Sequence, residues 1–99
     1  MQSASANAAE ALEKVAGLLE RKPPKGKRRS EADQAAIKAA LIDAEEAVRE
    51  LGPGIASDDD DPAIGWVETW RKEIFAGRFY KVAPNAVRAI ARRCSRSEL

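Results

Sequence analysis

SEADQAAIKAALIDAEEAVREL, residues Ser30 to Leu51, is the stretch from which the fold is read. Ile37, Leu41, Ala44, Val48 and Leu51 recur at spacings of four, three, four and three, which holds one apolar stripe on one face of a helix. Ala35, Ala36, Ala39, Ala40, Ile42 and Ala47 widen the stripe, and alanine is the best helix-forming residue. Ser30 suits the cap position, Glu31 and Asp33 suit the positive end of the helix dipole, and Gly52-Pro53 stops the far end. At about 1.5 Å per residue this helix spans roughly 33 Å, enough to serve as the spine of a small domain.

The remaining chain is sized to pack against that spine. Ninety-nine residues make one domain. Apolar residues are 44% of the chain, but 20 of them are alanine, so the expected core is thin and buries little area per residue. A first helix is expected over Asn7 to Arg21, after a disordered tail of residues 1–6. Asn7 and Glu10 resemble a capping box, and Ala8, Leu12, Val15 and Leu19 form the stripe, with Leu18 beside it. The basic connector 22–29, KPPKGKRR, cannot continue a helix through two prolines and a glycine. The acidic connector 52–61, GPGIASDDDD, is read as a loop ending in a helix start, with Asp61 as cap and Pro62 at the first helical position. A third helix, Pro62 to Ala76, is lined by Ile64, Val67, Trp70 or Arg71, and Ile74 or Phe75, and Gly77 ends it. A fourth, Pro84 to Arg96, buries Val87, Ile90, Ala91 and Cys94. The fold class expected is all-α, a small up-down bundle of four helices around the long Ala-rich second helix. The alternative is a three-helix core with the first helix loosely attached.

Charge is segregated along the chain. The net charge is +1, yet residues 21–29 carry +6, residues 30–61 carry −8 and residues 77–99 carry +5. Such blocks either satisfy one another within the fold or present two poles to partners.

Several function classes are excluded or weakened by absence. No histidine occurs, so no His-based metal site or triad exists and Cys94 has no imidazole partner. There is no Gly-rich phosphate loop and no CxxC. The aspartate run is not an EF-hand: counted from Asp58, the sixth position is Ala63 and the twelfth Thr69, where glycine and glutamate belong. No catalytic residue, metal or cofactor is expected. No apolar run approaches a membrane span, and MQSASANAAEAL lacks the pattern of a secretory signal. The single cysteine fits a cytoplasmic or other reducing intracellular compartment, although a removed targeting peptide would leave no trace.

Two functional readings remain. All five aromatic residues fall between Trp66 and Tyr80, interleaved with cations. Trp, Tyr and Arg dominate binding hot spots, so a protein-protein interaction module (adaptor, regulator or assembly subunit) would use Trp66, Trp70, Arg71, Phe79, Tyr80, Arg88 and Arg92, with one tryptophan buried and the other exposed. Its partner is another protein, self-association included. The alternative is nucleic-acid binding through Lys25, Lys27, Arg28 and Arg29 of the connector and Arg93 and Arg96 of the last helix, where Arg88, Arg92 and Arg96 form a stripe at four-residue spacing. The same residues would serve an acidic protein partner.

Overall fold

The computed structural model describes residues 4–21, 23, 26–51 and 63–96. Among them are four α-helices, α1 (Ala4–Glu20), α2 (Glu31–Leu51), α3 (Ala63–Phe75) and α4 (Pro84–Arg96), a single 3₁₀ turn, Phe79–Lys81, and no strand. The protein is an all-α bundle, as its periodicities predict. None of these helices is long and apolar enough to cross a membrane.

Helix ends follow local chemistry. The Asp33 amide donates to Ser30 Oγ at 3.1 Å, making Ser30 the cap of α2. Gly77 has φ 86°, and it ends α3 with two paired bonds: the Gly77 amide donates to Ile74 O (3.0 Å) and the Arg78 amide to Glu73 O (2.8 Å). This is a Schellman turn, and a side chain at Gly77 would be strained by the left-handed backbone. Pro84 occupies the first position of α4, where its missing amide costs nothing, and the Ala86 and Val87 amides donate to Ala83 O. Helix α1 starts at Ala4, three residues before Asn7, so Ala4 to Ala6 extend the helix instead of belonging to a tail, and Asn7 lies inside it. Alanine at positions 4 and 6 favours helix strongly enough to carry it past the capping-box pattern. The expected cap at Asp61 and the start at Pro62 lie outside the described residues.

Successive helices run antiparallel. Arg29 and Asp33 at the start of α2 meet residues 18–21 at the end of α1, while Asn7 to Lys14 lie beside Ala40 and Asp43. Arg49 pairs with Glu68 and Arg71 with Glu45, and the Lys38 ammonium sits 5.5 Å from the Phe75 ring, which sets α3 antiparallel to α2. Helix α4 starts beside Leu19 and returns along α1.

One continuous core results. Ala8, Leu12, Val15, Ala16 and Leu19 of α1 join Ile37, Ala40, Leu41, Ala44 and Val48 of α2, Val67, Trp70 and Ile74 of α3, Val82, and Val87, Ile90, Ala91 and Cys94 of α4. The loosely attached first helix is ruled out: α1 packs along both α2 and α4, and shares with α2 the role of spine. Small residues at Ala8 and Ala16 allow that double packing, because they let two neighbours approach one helix closely. On α2, Ala40 is buried and Ala47 half-buried, but Ala35, Ala36, Ala39 and Ile42 face solvent and do not widen the buried stripe.

Candidate functional site

Four ion-pair systems decide which cations remain available. Arg29 is nearly buried. Its Nη1 donates to Arg21 O (2.6 Å) and Leu18 O (3.5 Å), its Nη2 donates to Leu19 O (2.8 Å), and its Nη1 also reaches Asp33 Oδ2 at 2.8 Å. The last carbonyls of a helix have no amide partner within it, so this guanidinium caps α1 and neutralises its negative dipole end. The Phe79 ring lies 5.7 Å from the Arg29 guanidinium, and Gln34 Nε2 donates to Arg29 O at 2.8 Å. Arg29 is therefore structural, and the expectation that it contacts phosphate or an acidic partner is corrected.

Arg88 spans to α1, donating through Nε to Glu13 Oε2 (3.4 Å) and through Nη1 to Glu20 Oε1. The hydrogen bond from Arg88 holds the Glu20 carboxyl below its usual range, and the carboxylates in turn raise the Arg88 pKa. On the other side of the bundle Glu45, with its side chain only 10% exposed, accepts from Arg49 (3.1 Å, i,i+4) and from Arg71, whose Nη1 lies 3.1 and 3.2 Å from its two oxygens. Arg88 thus faces α1 and Arg71 faces α2, and the aromatic segment and the last helix do not meet in one composite surface through these two arginines. A further pair, Arg78 with Glu73 (2.7 and 3.3 Å), closes over the end of α3 and lowers the Glu73 pKa.

The two tryptophans divide as expected, one exposed and one buried. Trp66 is 41% exposed and Trp70 only 4%, with ring centroids 6.1 Å apart. Trp70 is therefore core, correcting its assignment to a docking surface: on α3 it shares its direction with Val67 and Ile74. Phe75, five residues on, points away from that face. It is 48% exposed between the Lys38 and Arg71 cations, each under 6 Å from its ring. Sequence reading left Phe75 undecided; its helical offset of about 140° from Trp70 is the signal that it lies off the buried face. Trp66 and Phe75, nine residues apart, project from opposite flanks of α3.

Where cations and aromatic surface do come together is at the end of the bundle where α1 and α3 finish and α2 and α4 begin. A cleft of about 930 Å³ opens there, with buried Leu19 and Val82 at its base, Pro23, Gly26, Lys27 and Arg28 along one side, and Ala76, Gly77, Phe79, Tyr80, Ala83 and Pro84 along the other. Arg29 and Gln34 complete the lining. Gly26 turns the connector with φ 81°. Lys27 and Arg28 are exposed, as is Tyr80 at 80%, whereas Phe79 is half-buried under the Arg29 guanidinium. Exposed Arg21, Arg78 and Lys81 lie in the segments flanking the cleft; of the nearby acids, Asp33, Glu73 and Glu20 are paired with Arg29, Arg78 and Arg88, and Glu31 at the first position of α2 is exposed. The end of the bundle is thus a positive pole, gathered from residues about fifty apart in sequence.

Of the remaining expected site residues, Arg92 is exposed and Arg93 half-buried, Lys25 lies outside the described residues, and nothing is described of the Arg96 side chain. Cys94 is buried, and burial pushes its thiol pKa up, away from the thiolate form that attacks electrophiles. Among the described residues no three His, Cys, Asp or Glu side chains converge as a metal site. Compared with known proteins, the chain matches no family model, no curated protein and no solved structure.

Proposed function

We propose that the protein is a non-enzymatic interaction module that receives a carboxylate-rich segment of a protein partner in the cleft at its positive pole. The observation that carries this reading is the joint lining of one cleft by Lys27, Arg28 and the 80%-exposed Tyr80. Arg28 offers a planar fork that matches a carboxylate, Lys27 a mobile ammonium, and Tyr80 a rigid ring with a hydroxyl, the residue types that concentrate binding energy. The apolar base beneath them offers burial to the non-polar parts of such a segment.

Binding along a nucleic-acid backbone fits less well. Phosphate tracking requires many free cations in a row. Arg29, Arg49, Arg71, Arg78 and Arg88 are all engaged with carboxylates of the fold, which among the described residues favours a focal patch over a track.

Titration of a fluorescent glutamate-rich peptide, followed by anisotropy, tests the reading. Saturable binding is expected, weakened about tenfold or more by Lys27→Glu with Arg28→Glu and again by Tyr80→Ala, the loss typical of hot-spot truncation. Arg92→Ala should leave it unchanged. A preference for generic single-stranded RNA, with affinity falling steeply with salt, would replace this reading with the nucleic-acid one.

A further inference from the structure

We infer that the carboxylate-rich segment received by the cleft is the aspartate run Asp58 to Asp61 of a second copy of this chain, so that the protein self-associates head to tail. The inference rests on the cleft reading above and names the occupant. Three observations carry it. First, the chain supplies a matching ligand: four consecutive aspartates, with no cation among residues 50–70. Second, the antiparallel topology puts Leu51 and Ala63, the described residues that bracket the donor run, at the opposite end of the bundle from the acceptor. The cleft lies where α2 begins and α3 finishes, whereas the aspartates follow the end of α2 and immediately precede α3.

Third, chain length puts the run's own cleft at the limit of its reach. Asp61 is two residues before Ala63 and so stays within about 7 Å of it, and even Asp58 reaches no further than about 18 Å. The cleft rim at Ala76 and Gly77 is about 20 Å from Ala63 along α3. Only a nearly fully stretched connector could bring Asp58 to Arg28 of its own chain, so the aspartates of another molecule are the readier occupant.

The geometry also fixes the kind of assembly. A contact between two different surfaces leaves one of each free on every pair, so it propagates to rings or open chains and does not stop at a symmetric dimer. Because the junction is ionic and exposed, it weakens as salt shortens the screening length from about 10 Å at 0.1 M to about 3 Å at 1 M.

Sedimentation velocity on the full chain decides the matter. Wild type is expected to show a concentration-dependent series of species that collapses to monomer at high salt. Changing Asp58 to Asp61 all to Asn, or Lys27→Glu with Arg28→Glu, should each give a monomer with an unchanged helical spectrum. The decisive result is the mixture: the Asn variant keeps the cleft and the Glu variant keeps the aspartates, so together they should form a heterodimer and nothing larger. A wild-type monomer at all concentrations overturns the inference, as does a dimer indifferent to these substitutions. If wild type is monomeric yet the glutamate-rich peptide still saturates the cleft, self-association alone is wrong and the carboxylate-binding reading stands. If neither peptide nor second copy binds while RNA does, both are wrong.

Discussion

Along α1 the buried packing against α2 and α4 is hydrocarbon, spread over many small contributors, Ala8, Leu12, Val15, Ala16 and Leu19 among them, and the Arg88 ion pairs with Glu13 and Glu20 lie at its exposed edge. The packing of α3 against α2 is made differently: Val67 and Ile74 flank a single large ring, Trp70, and a nearly buried carboxylate, Glu45, is held between Arg49 and Arg71. Distributing burial over alanines and medium aliphatics makes the first seam less dependent on any one residue, because each removes less area from water than a large ring does. Concentrating it in one indole and one charged cluster makes the second seam sensitive and directional.

The sharpest test of that contrast is Trp70→Ala, which should cost about 3 to 5 kcal/mol, as removal of a buried aromatic ring does. Trp66→Ala, one turn away, should stay within about 0.5 kcal/mol, the usual range for an exposed position. Denaturant melts that returned equal losses for the two would dissolve the distinction. Next in size, Leu41→Ala should cost about 2 to 4 kcal/mol, less than Trp70→Ala; if it cost more, the α1–α2 seam would be the concentrated one.

Much of this contrast was legible in the residues and some of it could not be. The stripe from Ile37 to Val48, the cap at Ser30, and the limits of α4 at Pro84 and Arg96 follow from periodicity and end chemistry, which act within one turn. Spacing brought Trp66 and Trp70 onto overlapping strips but not the choice between them, since four residues turn a helix by only about 40° from full register. Alanine misled twice. It made Ala35, Ala36 and Ala39 look like core, although alanine favours helix on either face, and it hid how much packing α1 accepts. The cap supplied by Arg29 was invisible because its partners are backbone carbonyls, which any sequence would offer. The cleft needed topology: Lys27 and Tyr80 share a lining only after the helices have been set antiparallel.

Smaller effects sharpen the ionic side of the comparison. Glu45→Ala should cost about 1 to 2 kcal/mol, by leaving Arg49 and Arg71 without their shared acceptor while both remain half-exposed to water. A double-mutant cycle with Arg71→Ala should return a positive coupling, and a coupling of zero would make the cluster incidental. The pH response is the smallest. Glu20 and Glu73 have folded-state pKa values below the ordinary 4.5, so the folded form binds fewer protons than the unfolded chain. Their contribution is complete above about pH 4.5 and is lost as pH falls below that value through the lowered folded pKa. Melting temperatures should decline below pH 4.5, and Glu20→Gln with Glu73→Gln should flatten that decline.

The bridge from Arg88 to α1 also bears on how the chain reaches its fold. Arg29 closes contacts only about ten residues back, so α1 and α2 can form a hairpin at little cost in loop-closure entropy. Arg88 instead joins residues 75 and 68 positions away. Until α4 has left the ribosome, the flank of α1 that it covers stays wet, so an early-terminated chain lacking residues after about Tyr80 would carry an uncovered apolar stripe along α1. Such a fragment should aggregate or recruit a chaperone where the complete chain does not, and substitutions in α4 should mainly speed unfolding whereas those in the α1–α2 hairpin should slow folding.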